Sequence, residues 1–218
     1  MKKIFATVFC FCCLLTGYAQ QQYPFYNDIQ AFKQQDSIHP PVNDAILFIG
    51  SSSFTYWKDV AAYFPEHHII NRGFGGSSLP DVIHYANDVI FAYHPKQIVI
   101  YCGENDLATA DTVTADSVVQ RFCQLFTLIR SRMPDIPVTF VSLKPSPSRS
   151  RLMPRMVAAN QAIKKYLRKQ KHTSFVDVYH KMLQKDGTVK ADIFKADQLH
   201  MNAQGYSIWQ KAIAPALK

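Results

Sequence analysis

Ala45-Ile46-Leu47-Phe48-Ile49-Gly50-Ser51-Ser52-Ser53 is a run of five apolar residues closed by a glycine and three hydroxyl side chains. An apolar stretch this short and uninterrupted predicts a strand buried on both faces, because a half-buried strand would alternate with polar residues. The signature returns four times downstream, in His68-Ile69-Ile70-Asn71, Gln97-Ile98-Val99-Ile100-Tyr101, Pro137-Val138-Thr139-Phe140-Val141 and Ser174-Phe175-Val176-Asp177-Val178. Segments of helical spacing separate the strands. They run from Pro80 to Tyr93, from Asp116 to Arg132 with Val119, Phe122, Phe126 and Ile129 along one side, and from Pro154 to Lys169. A last helix is expected from Ala203 to about Leu217, with Asn202 as its cap. A short helix, Ile29 to Ser37, precedes the first strand and is broken by His39-Pro40-Pro41. Strands alternating with helices of this length imply an α/β fold, a parallel sheet covered on both faces. In such folds sites form outside the carboxyl ends of the strands.

The first twenty residues stand apart. Lys2 and Lys3 precede an apolar run from Ile4 to about Leu15, and Gly17-Tyr18-Ala19 places small residues at −3 and −1 of a cleavage site. That layout predicts a secretory signal peptide over residues 1–19, cleaved after Ala19. The run falls short of the roughly 20 residues that span a bilayer, and no second such run follows, so no stable membrane span is expected. Cys10, Cys12 and Cys13 sit among bulky neighbours, unlike the small residues that precede a lipidated cysteine. Only Cys102 and Cys123 would remain after cleavage, and both fall in apolar elements as two buried free thiols. Residues 20–218 carry no repeat, low-complexity tract or linker and read as a single domain; 48% hydrophobic residues supply a full core. The net charge of +8 is spread along the chain without the aromatic and basic interleaving that single strands require, which argues against nucleic-acid binding.

Four short segments carry chemistry. Ser52 follows the first strand by two residues, with Gly50 allowing a tight turn. A serine there lies where a helix beginning near Ser53 would aim free amides at an anion. Alone, the three serines read better as helix-capping residues. Asp197 and His200 lie three apart in a polar loop before the last helix. This spacing lets the carboxylate hold one imidazole nitrogen while the other faces a serine, supplying the base that a weak hydroxyl nucleophile needs. The other seven histidines show no comparable carboxylate partner in a strand-end or pre-helix loop. Gly76, in Asn71-Arg72-Gly73-Phe74-Gly75-Gly76, and Asn105, in Gly103-Glu104-Asn105-Asp106, could donate hydrogen bonds to an oxyanion. Read alone, they serve equally as a loop glycine and a turn residue. The glycines match neither a P-loop nor a dinucleotide fingerprint.

Taken in order, the Ser, Gly, Asn and His blocks resemble those of the SGNH hydrolases, the GDSL-type esterases and lipases, from about Ala45 to Tyr206. The resemblance implies a flavodoxin-like three-layer α/β/α sandwich with a five-stranded parallel sheet. It implies Ser52 as nucleophile, Asp197 and His200 completing a triad, and the Ser52 amide, Gly76 and Asn105 as oxyanion donors. Neither a metal nor an organic cofactor is implied. One departure is visible: the family's first block usually reads Gly-Asp-Ser, and Ser51 stands in the aspartate's place. The expected activity is that of a serine esterase, periplasmic or extracellular, removing short acyl groups from a carbohydrate or similar small ester. A lysophospholipase and a non-catalytic glycan-binding protein are the alternatives. Lys144 to Arg155, with prolines and three arginines, follows the fourth strand and reads as a solvated basic loop, the alternative being that it borders the site and favours an anionic substrate. Trp57 and Trp209 read as packing residues, Trp57 also as a candidate to line the pocket.

Overall fold

The computed structural model describes residues 23–218; the expected leader, with its three cysteines, lies outside them. Five strands, β1 (Ile46–Gly50), β2 (Ile69–Gly73), β3 (Gln97–Tyr101), β4 (Val138–Val141) and β5 (Thr173–Val176), form one all-parallel sheet in the order β2-β1-β3-β4-β5. The apolar runs are explained by what covers them. Leu47 and Ile49 of β1, with Ile98 and Ile100 of β3, face one core, while Ile46, Phe48, Val99 and Tyr101 face another. Alternate residues point to opposite faces of a strand, so a run apolar at every position serves two cores at once.

The first core is closed by α1 (Tyr26–Ile38), α4 (Leu79–His84), α5 (Ala86–Val89), α7 (Ala115–Arg132) and α8 (Met153–Leu167). The second is closed by α2 (Ser52–Thr55), α3 (Val60–Tyr63) and α9 (Ala203–Ile213). A short α6 (Glu104–Thr109) follows β3. The result is the expected three-layer α/β/α arrangement. Trp57 and Trp209 are fully buried in the second core, with Trp57 stacked on Tyr206 at 4.8 Å, so Trp57 packs the core and lines no pocket. Cys102 is buried, Cys123 is only partly so, and both thiols are free. Among the described residues no helix is long and apolar enough to cross a membrane.

Several boundaries differ from the sequence reading by a few residues, and three of the differences have a visible cause. The helix expected from Pro80 to Tyr93 breaks into α4 and α5 at Tyr85, whose ring packs edge-on to Phe74 and Tyr23. β5 stops at Val176 because Asp177 turns to accept the His180 amide. α9 ends at Ile213, and the Ala214–Ala216 turn that follows is tightened by Pro215, which has no N–H to continue the ladder.

The strand order places a topological switch between β1 and β3, whose following connections leave on opposite sides of the sheet. A crevice opens at the carboxyl ends of those two strands. Ser52 lies just past the end of β1, and Asn105 just past the end of β3.

Candidate active site

The turn after β1 depends on Gly50. Its φ of +135° is closed to side chains, and a Cβ there would lie 1.9 Å from the Tyr101 carbonyl oxygen. Ser51 is buried and extended at the N-cap of α2, but its hydroxyl makes no capping bond. The serine run is therefore not a set of caps. Ser52, the first residue of α2, stays partly exposed, and its hydroxyl faces His200 Nε2 at 3.0 Å.

His200 comes from the loop before α9. Its Nδ1 lies 2.7 Å from Asp197 Oδ2, and Asp197 Oδ1 accepts the amides of Leu199 and His200, each at 2.9 Å. An acceptor-only carboxylate at Nδ1 puts the proton on that nitrogen and leaves Nε2 bare to accept from the Ser52 hydroxyl. Burial works against the Asp197 charge, but the amide and imidazole bonds outweigh it and hold the carboxyl well below the usual carboxylate range. Asn202 fixes the loop's far end: its Oδ1 caps α9 by accepting from Gln204 and Gly205, and its Nδ2 donates to the Asp192 carbonyl.

A second pair forms the same local cradle, contrary to the sequence reading of the other histidines. Asp177 accepts the His180 amide at 3.1 Å and faces His180 Nδ1 at 2.7 Å. The His180 side chain is 70% exposed, and among the described residues no hydroxyl meets its other nitrogen. Asp-x-x-His spacing is thus not distinctive by itself. The 148-residue reach from His200 to Ser52 is.

The loop after β2 closes against the same turn. Phe74 N donates to the Gly50 carbonyl at 2.9 Å, the Ser77 hydroxyl donates to it at 3.1 Å, and a Cβ on Gly75 would lie 3.8 Å from that of Ser52. Gly76 is exposed, with φ of +87°. Among the described residues, neither its amide nor that of Ser52 has an acceptor within the protein. Asn105 Nδ2 donates to the Ser77 carbonyl at 3.0 Å, which leaves its second N–H uncommitted. All five sequence-predicted residues therefore converge at the ends of β1, β2 and β3.

Four contributors escaped the sequence reading. Ser77 ties the Gly50 turn to Asn105. Tyr56, half exposed, lays its ring 4.5 Å from the His200 ring, with Lys195 Nζ 4.8 Å from the Tyr56 ring centre. Lys144 and Arg149 are not solvated. Lys144 is buried and bonds Glu104 Oε2 at 3.1 Å, and Arg149 pairs with Glu104 Oε1 at 3.1 Å and donates to Asn105 Oδ1 at 2.9 Å. Of the basic loop, Arg151 keeps the expected solvated character, at 71% exposure. Among the described residues no group of three or more His, Cys, Asp or Glu side chains could hold a metal ion.

Solved structures with the same fold include a GDSL-like lipase from Bacteroides thetaiotaomicron (20% identity, TM-score 0.72, covering 86% of this chain and 96% of that one). Another is a Bacteroides fragilis protein provisionally named an acylhydrolase (21% identity, TM-score 0.75, 88% and 96% coverage). A third is a catalytic mutant of an acetylxylan esterase from Geobacillus stearothermophilus (16% identity, TM-score 0.63, 81% and 94% coverage). No curated protein matches the chain. The GDSL-like Lipase/Acylhydrolase family model matches residues 48–208, which takes in Ser52, Gly76, Asn105, Asp197 and His200, and to that family this chain belongs.

Proposed function

We propose that the chain is an exported serine esterase that hydrolyses carboxylic esters through an acyl-enzyme, acting on short acyl groups, acetyl above all, carried by a carbohydrate or similar small molecule. The observation that carries this reading is the unbroken chain Asp197–His200–Ser52, at 2.7 and 3.0 Å, beside two uncommitted amides and the Asn105 NH2. His200 Nε2 takes the Ser52 proton as Oγ attacks the ester carbonyl. The charge that develops on the former carbonyl oxygen meets the Ser52 and Gly76 amides and Asn105 Nδ2; each such donor lowers a barrier by roughly 2.7–4 kcal/mol. His200 then returns its proton to the leaving alcohol, and a water repeats the sequence on the acyl-enzyme. Besides the ester and water, the scheme uses only side chains and backbone amides of the chain, so it calls on no cofactor. Export rests on the leader expected over residues 1–19.

Two features support a small, sugar-borne ester. The site sits on short strand-end loops, and the half-exposed Tyr56 ring beside His200, with Lys195 over it, gives the site rim an aromatic and polar surface suited to a sugar. The acetylxylan esterase among the structural relatives is named for such a substrate.

Hydrolysis of para-nitrophenyl esters from acetate to palmitate, by mature protein and Ser52→Ala in parallel, tests the reading. Turnover of acetate is expected to exceed that of long acyl chains and to fall about 10⁶-fold in the variant. Near wild-type turnover by Ser52→Ala would sink the serine mechanism. Activity rising with chain length would favour the lysophospholipase.

A further inference from the structure

We infer that Arg149 is a positioning residue for the esterase reaction proposed above, one that holds the Asn105 amide in its donor orientation by binding Asn105 and Glu104 together. The two side chains are neighbours in the first turn of α6, and one guanidinium fork takes both: Nη2 to Asn105 Oδ1 at 2.9 Å, Nη1 to Glu104 Oε1 at 3.1 Å. Arginine only donates, so it can meet only the oxygen of the Asn105 amide. The Ser77 carbonyl, which only accepts, meets the nitrogen at 3.0 Å. Between the two the amide has one orientation, and its remaining N–H is the one left for an oxyanion.

Glu104 anchors the fork. It is 5% exposed and is bonded besides by the Tyr101 hydroxyl and by Lys144 Nζ at 3.1 Å. One carboxylate thus faces two cations, and one of the two, Arg149, is the group that reaches Asn105. A guanidinium on the amide oxygen also polarises the N–H bonds opposite, which strengthens donation as negative charge forms. The segment carrying Arg149 reaches the other half of the site as well: the Ser148 amide donates to the Gln198 carbonyl at 3.1 Å, inside the loop between Asp197 and His200. A single turn, Pro147–Leu152, therefore braces both the oxyanion donor and the base.

A double-mutant cycle between Arg149→Met and Asn105→Ala on para-nitrophenyl acetate tests this, with Ser52→Ala as the reference for lost chemistry. Arg149→Met is expected to lower kcat 30- to 100-fold with KM within twofold, and to cost less than threefold further when Asn105 is already alanine. A kcat within threefold of wild type, or full additivity of the two substitutions, overturns the inference. Should Arg149→Met fail to fold, Arg149→Lys enters the same cycle, because lysine keeps the charge but cannot span two partners. Absence of wild-type ester turnover would mark failure of the proposed function instead, and Arg149 is then judged by the Asn105 side-chain amide in NMR spectra. Arg149→Met is expected to shift that resonance pair and speed its hydrogen exchange at least tenfold; an unchanged pair overturns the inference.

Discussion

At the scale of the residue, Asp197 shows how local bonding sets the working state of a site. Its carboxylate takes two backbone amides and an imidazole N–H, so its charge persists down through the pH range where an ordinary aspartate would protonate. The acid limb of the activity profile is therefore expected to come from a group other than Asp197. Asp197→Asn exchanges an obligate acceptor for an amide that can donate, which favours the wrong imidazole tautomer. For a buried aspartate such a change costs about 10⁴-fold in kcat. Asp197 is 47% exposed, and water takes up part of its role, so a loss on the order of 10³-fold is expected, with KM little changed. Steady-state kinetics of the variant from pH 5 to 9 check both statements; a loss below tenfold contradicts the orienting role. Sequence alone reached this residue because its partner is three positions away. It separated Asp197–His200 from the other histidines on a wrong ground, since Asp177–His180 has the same local geometry, and the real difference lies in a serine distant in the chain.

At the scale of the element, the strands were legible and some helix ends were not. Buried parallel strands carry an unbroken apolar signal, and all five were found within two residues of their ends. Helix ends are decided by tertiary partners that spacing does not display, as with Tyr85, which leaves its helix to pack on Phe74. Asn202 is the exception, a cap readable from sequence, and it joins α9 to the His200 loop through bonds at 2.7 to 3.2 Å. Removing an N-cap costs about 1–2 kcal/mol, which in a chain of this size lowers Tm by roughly 2–8 °C. Asn202→Ala is expected to fall in that interval by calorimetry. An unchanged Tm would mean that α9 is held by the packing of Trp209 and Ile213 alone.

At the scale of the whole molecule, the Glu104 cluster ties the end of β3 to the segment after β4 and was invisible in the sequence. Lys144 and Arg149 lie 40 and 45 residues from Glu104, and nothing in local composition tells a buried cation from a solvated one. Burial raises the Glu104 carboxyl, but the charges of Lys144 and Arg149 and the hydrogen bonds from Tyr101 and Lys144 outweigh it, so its folded pKa lies below the unfolded value. The sign of the linkage follows. Folding favours the ionised form, so the contribution is complete above the unfolded pKa, about 4.3, and is lost as pH falls through the folded pKa. Glu104→Gln leaves the Lys144 ammonium buried without its counter-ion, a defect that costs about 3–5 kcal/mol. Urea unfolding of wild type and variant is expected to show that gap undiminished from pH 7 to 5.5, then narrowing steadily below pH 4.5 as the wild-type carboxylate protonates. A gap of constant size across that range would mean that Glu104 stabilises the fold by shape rather than charge, and that the cluster contributes no electrostatic bracing to the ends of β3 and β4.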